Sequence, residues 1–428
     1  MRRHWAGLAA VATALVVGAT GGCGLGTPEQ AAAPTASVAG EVTGKVSFQT
    51  WALKPKFTDY VQGVIDGFEK KYPGVEVEWL DQPGEDYSEK VLSQAAGGNL
   101  PDVTNLPPEF GLPLAKQGLL LDVAKADPKV TQEYVAGGLD AYRYPGIEGV
   151  YSYPWYLNTD VNYWNTELLT KNGLDPAKLP TTLDELIEQA RTFKEKAGKK
   201  VFLMSRRPEL LDLTNAGVQV MSPDGTRFTF NTPEAVALLD KYRAAYKEGL
   251  LPRDILTDTY AGNSKLFTQE TVAWTTGGGN LITSLAGDNP GLAPKIVPSA
   301  AIGTPPLYVQ GLAVSARTKN VPAAVALARW VTNAENQAAF AHLVNIFPST
   351  TASANDPFFS KSDGTNSGDA KVLAFNSLAK AKLLTPVQVS DAMKTIVAQQ
   401  FSSAISGDVT SKEALDEAVA QCDRLLKG

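Results

Sequence analysis

Residues 154–164 read PWYLNTDVNYW, four aromatics among two asparagines and an aspartate. Aromatic rings favour packing, whereas amides and carboxylates resist burial unless they find partners. The stretch is either a strand entering a core or the floor of a site that grips something polar through ring faces. Alternation allows both, because successive side chains of a strand point to opposite faces. Tyr156, Asn158, Asp160, Asn162 and Trp164 then share one face.

On the N-terminal side, GKVSFQTW at 44–51 alternates Val46, Phe48 and Thr50 with polar residues and predicts a strand. Phe57, Val61, Val64 and Phe68 recur at helical spacing, Pro73-Gly74 stops that helix, and VEVEW at 75–79 begins a second strand. A helix over 87–97 and a strand over 101–106 complete a strand–helix alternation that implies an α/β lobe with a largely parallel sheet.

On the C-terminal side, Thr182 and Glu185 form a capping box for a helix whose buried face is Leu183, Leu186, Ile187, Ala190 and Phe193. A strand is predicted at VFLMS, 201–205, and a helix over 233–249. LFTQETVAWTTGGG combines a helix end with a strand ending in glycines, and GLAVSA is a further strand leading into a helix. Residues 370–404 read as helix apart from Pro386, and Thr410 with Glu413 offers a second capping box for the final helix. The pattern contains no internal repeat and no long linker between two α/β lobes.

The first 22 residues have the layout of a secretory signal, with Arg2 and Arg3 ahead of an apolar stretch too short for a membrane span. Residues 23–43 hold few large apolar side chains and read as a flexible tether. Cys23 and Cys422 are the two cysteines; Cys422 falls on an apolar helix face, which predicts an inert buried thiol. Net charge is −6 with no basic stripe, which argues against a nucleic-acid partner.

Three runs carry a family resemblance. They are YPWYLNTDVNYWNTELLTKNGLDPAKLPTTLDELIEQA, then GLAVSARTKNVPAAVALARWVTNAENQAAF with NIFPST, and finally SGDVTSKEALDEAVAQCDRLL. In this order the chain resembles, over about residues 44–427, the extracytoplasmic solute-binding lipoproteins of bacterial sugar ABC importers, the family that includes maltose-binding protein. The leader resembles a lipobox ending at Cys23, with Thr20 where that motif prefers leucine. The resemblance implies cleavage before Cys23, a lipid on that cysteine and anchorage at the outer face of the cytoplasmic membrane.

The resemblance implies a periplasmic-binding-protein-like clamshell of two α/β lobes joined by a multi-strand hinge. The N-terminal lobe is expected to comprise 44–153 and 308–346, and the C-terminal lobe 154–307 and 347–428, with crossings near Tyr153, Tyr308 and Phe347. It implies a monomer that binds a mono- or oligosaccharide between the lobes and delivers it to permease subunits. A lipid-anchored sensor or scaffold, and an exported carbohydrate-active enzyme, stand as the other readings.

Sugars present hydroxyls at the edge and C–H patches on the faces, so recognition needs rings together with carboxylates and amides. Trp155 and Tyr156 are the aromatic candidates at the expected crossing, against hinge or core packing; Asn158 and Asp160 follow on the same strand. Trp51 ends the first strand, where ligands collect in α/β sheets. Glu109, in TNLPPEFG, and Asp81 and Tyr87 lie on neighbouring loops, with Arg207 a further cation. Trp274 precedes Gly277, Gly278 and Gly279, whose backbone permits close approach. The segment LYVQG replaces the family's usual tryptophan and glycines, and places Tyr308 and Gln310 near the cleft.

No local pattern nominates catalysis. His4 lies in the leader, which leaves His342 in a small-residue helix; there is no HExxH motif, and GGG lacks the Gly-Lys-Ser/Thr of a phosphate loop. No carboxylate pair stands out for glycoside hydrolysis. Neither cofactor nor metal is expected.

Overall fold

β1 (Gly44–Trp51) buries Val46 and Phe48 completely, as its alternation predicts. It pairs in parallel with β2 (Val75–Gln82) and with β3 (Val103–Leu106). The connecting helix Thr58–Lys71 places Val61, Val64, Ile65 and Phe68 against that sheet. This computed structural model describes residues 38–257, 260–344 and 346–427. The leader, Cys23 and the tether as far as residue 37 lie outside the described residues.

The sheet continues with β8 (Leu307–Val314), β4 (Tyr153–Thr159) and β9 (Phe347–Pro348), in the order β2-β1-β3-β8-β4-β9. All three added pairings are antiparallel, so the expected largely parallel sheet is parallel only in its first half. The cause is connectivity. β4 leads the chain out of this sheet and β8 brings it back, so the two must run in opposite directions.

A second sheet is formed by β5 (Val161–Asn165), β6 (Trp274–Gly277) and β7 (Ile296–Ser299), ordered β6-β5-β7 with both pairings antiparallel. On one face Trp164 stacks on Trp274 at 5.9 Å, above a core of Leu186, Phe193, Leu239, Tyr242 and Phe401. On the other face, Val161, Tyr163 and Ile296 join the same core as Leu157 and Val309 of the large sheet. The lobes therefore share apolar packing at the hinge. Cys422 is fully buried, and burial pushes its thiol up to about 11, as an inert thiol requires.

The chain passes between sheets at a different residue from the one expected. β4 stays in the large sheet through Thr159, paired with β8 and β9, and only Asp160 separates it from β5. The outward crossing is therefore at Asp160 rather than Tyr153. Its return runs through residues 300–306, so Tyr308 already lies inside β8. Phe347 also remains in the large sheet, and the helix Asn366–Ser377 then packs against β4, β5 and β7.

Two further expectations change. VFLMS contributes only an isolated bridge, Phe202 to Val272, because the chain bends at Leu203 directly after it. The helical reading of 370–404 is interrupted from Leu378 to Ser390. There the Lys382 carbonyl accepts from the Leu307 amide, so this backbone is used by the return connection.

The capping boxes differ instructively. Thr182 accepts from the Glu185 amide at 3.2 Å, but the Glu185 carboxylate reaches back to Thr181 rather than Thr182. At the last helix, Ser411–Lys427, Thr410 and Glu413 bond reciprocally, at 3.2 Å and 2.9 Å. Thr410→Ala is expected to cost about 1 kcal/mol in urea unfolding, the usual loss for an N-cap.

Candidate functional site

The face of β4 that carries Tyr156 and Asn158 is half-buried, and these residues pair across the ladder with Gln310 and Tyr308 of β8. Asp160 follows at the junction of the sheets. The Tyr308 hydroxyl, on a residue 45% exposed, donates to Asp160 Oδ2 at 3.2 Å. Partial withdrawal from water holds the Asp160 carboxyl above its ordinary range, and the Tyr308 bond and the Arg206 charge oppose that shift.

Asp160 and Tyr308 open onto a cavity of about 560 Å³, also lined by Asn162, Arg206, Trp274 and Thr276. Its polar groups are already oriented. Arg206 makes a two-pronged bond to Asp212, 2.9 Å on each arm, and Asn162 Oδ1 accepts from the Trp274 indole at 3.0 Å. Trp274 is 3% exposed, so it presents little more than an edge.

An aromatic wall stands at the ends of β1 and β3. Trp51, partly exposed, stacks on Tyr87 at 5.1 Å with the rings within 4° of parallel, and Phe110 packs beside it at 5.6 Å. The Tyr87 ring is buried and its hydroxyl donates to the Asn105 carbonyl at 2.8 Å, so it supports Trp51 from behind. Glu109 lies 3.9 Å from Lys394 on the helix Asp391–Ser406, whose buried face belongs to the second lobe's core. Lys394 and Arg207 line a separate recess of about 350 Å³, where the Arg207 guanidinium lies 5.8 Å from the centre of the Tyr260 ring.

The glycine turn after β6 closes on the hinge. A Cβ on Gly278 would lie 2.4 Å from the Asn158 amide nitrogen, and Tyr163 bonds the Gly278 carbonyl at 2.5 Å. Gly277 abuts Leu281, while Gly279 is buried against Phe347 and Ala374. Gly278→Ala is expected to destabilise by about 1–2 kcal/mol through this overlap. Asn158→Ala in the same chain should restore most of it in urea unfolding, because the clashing amide is gone.

Several predicted residues have other employment. Trp155 is 1% exposed, stacked on Phe340 at 5.6 Å and tilted against Phe48 at 6.5 Å. Along β4 the buried Trp155, Leu157 and Thr159 alternate with the half-buried Tyr156 and Asn158, so alternation itself sets this indole in the core. Asp81 is taken up by the loop after β1, and Gln310 accepts from Asn105 at 3.0 Å. Tyr156 instead borders a recess of about 290 Å³ together with Leu53, Lys56 and Asn280.

The structure thus gathers Asp160, Trp274 and Tyr308 around one cavity, Trp51 with Tyr87, and Asn158 with Gly278. Sequence reasoning missed Phe110, Arg206, Thr276 and Lys394. Phe110 adjoins Glu109 and Arg206 adjoins Arg207, so proximity to chosen residues could have found them; Lys394 carries no local signal. Among the described residues, no group of three or more His, Cys, Asp or Glu side chains is placed to hold a metal ion.

The profile of the bacterial extracellular solute-binding proteins matches residues 54–338. The chain belongs to this family. It is similar to the melibiose/raffinose/stachyose-binding protein MelE of Bacillus subtilis (strain 168), 25% identical over 268 residues. That match covers 59% of this chain and 61% of MelE, less than two thirds of the relative's length. A candidate oligosaccharide periplasmic-binding protein of Synechococcus sp. MITs9220 is 27% identical, with a TM-score of 0.77 over 89% of this chain and 99% of that one. The GacH receptor of Streptomyces glaucescens GLA.O, at 20% identity, shares the fold with a TM-score of 0.71 over 90% and 99% of the two chains. The two sheets of this solute-binding protein, joined at Asp160 and through residues 300–306, form the two-lobed clamshell of these structures.

Proposed function

We propose that this solute-binding protein takes a mono- or oligosaccharide between its lobes and delivers it to the permease of an ABC importer, performing no chemistry itself. One observation carries the reading. Tyr308 from the large sheet and Asn162, Trp274 and Thr276 from the small one line a single cavity around the Asp160 carboxylate. Its volume of about 560 Å³ lies within the span usual for small-ligand sites. A half-dry carboxylate accepts strongly from paired hydroxyls, and the Trp51 ring offers a face for sugar C–H patches. The ligands named for MelE support a galactoside-type oligosaccharide as the first to try.

In this reading the lobes divide at Asp160, at residues 300–306 and again between Pro348 and Asp391, and they turn about those connections as the ligand is enclosed. The protein acts as a monomer, held to the outer face of the cytoplasmic membrane by a lipid on Cys23. Calorimetric titration with melibiose, raffinose, stachyose, maltotriose, a polyol and a sugar phosphate tests the binding. Saturable heat with a sugar supports the reading, and silence across the panel defeats it. Cys23→Ser is expected to move the protein from the membrane fraction to the medium.

A further inference from the structure

Asp81 does not reach toward a ligand, yet it controls the piece of chain that carries the aromatic wall. Its Oδ1 accepts from the Thr50 hydroxyl at 2.6 Å and from the Leu53 amide at 3.0 Å, and its Oδ2 accepts from the Lys54 amide at 3.0 Å. Thr50 Oγ1 in turn accepts from the Trp79 indole at 2.8 Å. Between these anchors Ala52 sits at φ 54, a left-handed conformation that alanine adopts only when its surroundings impose it. The Ala52 amide donates to the Gln82 carbonyl at 2.8 Å, and the Trp51 indole donates to the Gly84 carbonyl at 3.1 Å.

Every one of these bonds runs from the end of β1 or its following loop to β2 or the turn beyond it. The loop they fix presents Trp51 to Tyr87 and Phe110, and supplies Leu53 and Lys56 to the recess beside Tyr156. We propose that Asp81 is a positioning residue for the ligand site. Through two backbone amides and one hydroxyl it holds the β1 loop so that the Trp51 ring face is set before ligand arrives, and its effect on binding passes wholly through Trp51 and its neighbours. A carboxylate suits the task because all three partners are donors; the amide of an asparagine would turn one donor toward another. A preset wall spares the ligand the cost of ordering it. The proposal rests on the carbohydrate reading for its ligand, and on the loop geometry for its mechanism.

Asp102 supplies the control. It too braces β1, accepting from the Ser47 amide at 2.8 Å and the Ser47 hydroxyl at 2.7 Å, but at mid-strand, four residues before Trp51 and away from the loop. D81N and D102N are compared in the otherwise unchanged chain by urea unfolding, raffinose titration, amide exchange at Leu53 and Lys54, and the NMR signal of the Trp51 indole N–H. D81N is expected to lose amide protection, shift the indole signal and weaken raffinose about tenfold, the scale of one charge-assisted bond. D102N is expected to lose stability while leaving the indole signal and affinity unchanged. Identical indole and exchange behaviour in the two variants overturns the proposal, as does unchanged raffinose affinity in D81N. Failure of the wild-type chain to bind raffinose counts against that sugar alone, and the ligand-free signals still decide the role of Asp81. Should D81N fail to fold, Thr50→Val removes the hydroxyl bond to Asp81, together with the acceptor of the Trp79 indole, while leaving both amide bonds; the Trp51 indole signal and raffinose affinity are then read, and no change in either overturns the proposal.

Discussion

Replacing Trp155 by alanine is expected to destabilise the fold by about 3–5 kcal/mol, the range for removing a large aromatic from a packed core. The indole is 1% exposed, stacked on Phe340 and in edge contact with Tyr156 at 5.4 Å, so its loss leaves a hole bounded by rings that cannot all collapse into it. Among the described residues its buried N–H finds no hydrogen-bond partner, which weakens the native contribution of the ring. Trp155→Phe removes that orphan donor while keeping most of the packing, and is expected to cost about 1–2 kcal/mol, much less than alanine. Urea unfolding of both variants separates the readings. A ligand-contact role would weaken sugar binding and leave stability nearly intact; a packing role does the reverse.

That residue shows where the sequence stops being legible. The β1 strand, the helix after it and the capping signals rest on periodicity and local hydrogen bonding, which are properties of short segments, and they appear as predicted, save that the Glu185 carboxylate bonds Thr181 instead of the Thr182 cap. Alternation sets Trp155 apart from Tyr156 and Asn158, but it cannot say which face of the strand meets the core; that depends on Phe340, far along the chain, whose ring stacks on the indole. The crossing at Asp160 was hidden for a similar reason. β4 and β5 read as one continuous strand, and only their partners in separate sheets divide them.

The candidate site was legible where it is made of strand ends. Trp51 ends β1, while Asp160 and Tyr308 lie at the ends of β4 and β8 that lead to the second sheet, so position along a predicted strand was informative. Lys394 comes from a helix more than 280 residues beyond its partner Glu109, and no local pattern brings the two together. Asp81 failed as a ligand contact for a different reason. A carboxylate beside a strand end can serve a ligand or its own loop, and the choice depends on where the neighbouring amides point.

Asp160→Asn is expected to change binding and stability in opposite directions. The folded protein raises this carboxyl above its ordinary value because the group is partly withdrawn from water. A raised carboxylate favours the protonated form in the folded state. Below the unfolded value both states are protonated and folding carries no penalty; as pH rises through the folded value, the charged form opposes folding. Asparagine cannot ionise, so at neutral pH the variant should unfold at slightly higher urea than the wild type, and this advantage should vanish in acid. Binding moves the other way. The charged oxygen beside Tyr308 accepts from sugar hydroxyls more strongly than an amide, and its loss is expected to cost about 1.5–3 kcal/mol, roughly a 10- to 150-fold weaker sugar. The wild type should likewise bind more weakly as pH falls through the raised value, while the asparagine variant shows no such dependence. Calorimetry at several pH values, paired with urea unfolding, distinguishes this from simple damage to the hinge, which would lower stability and affinity together.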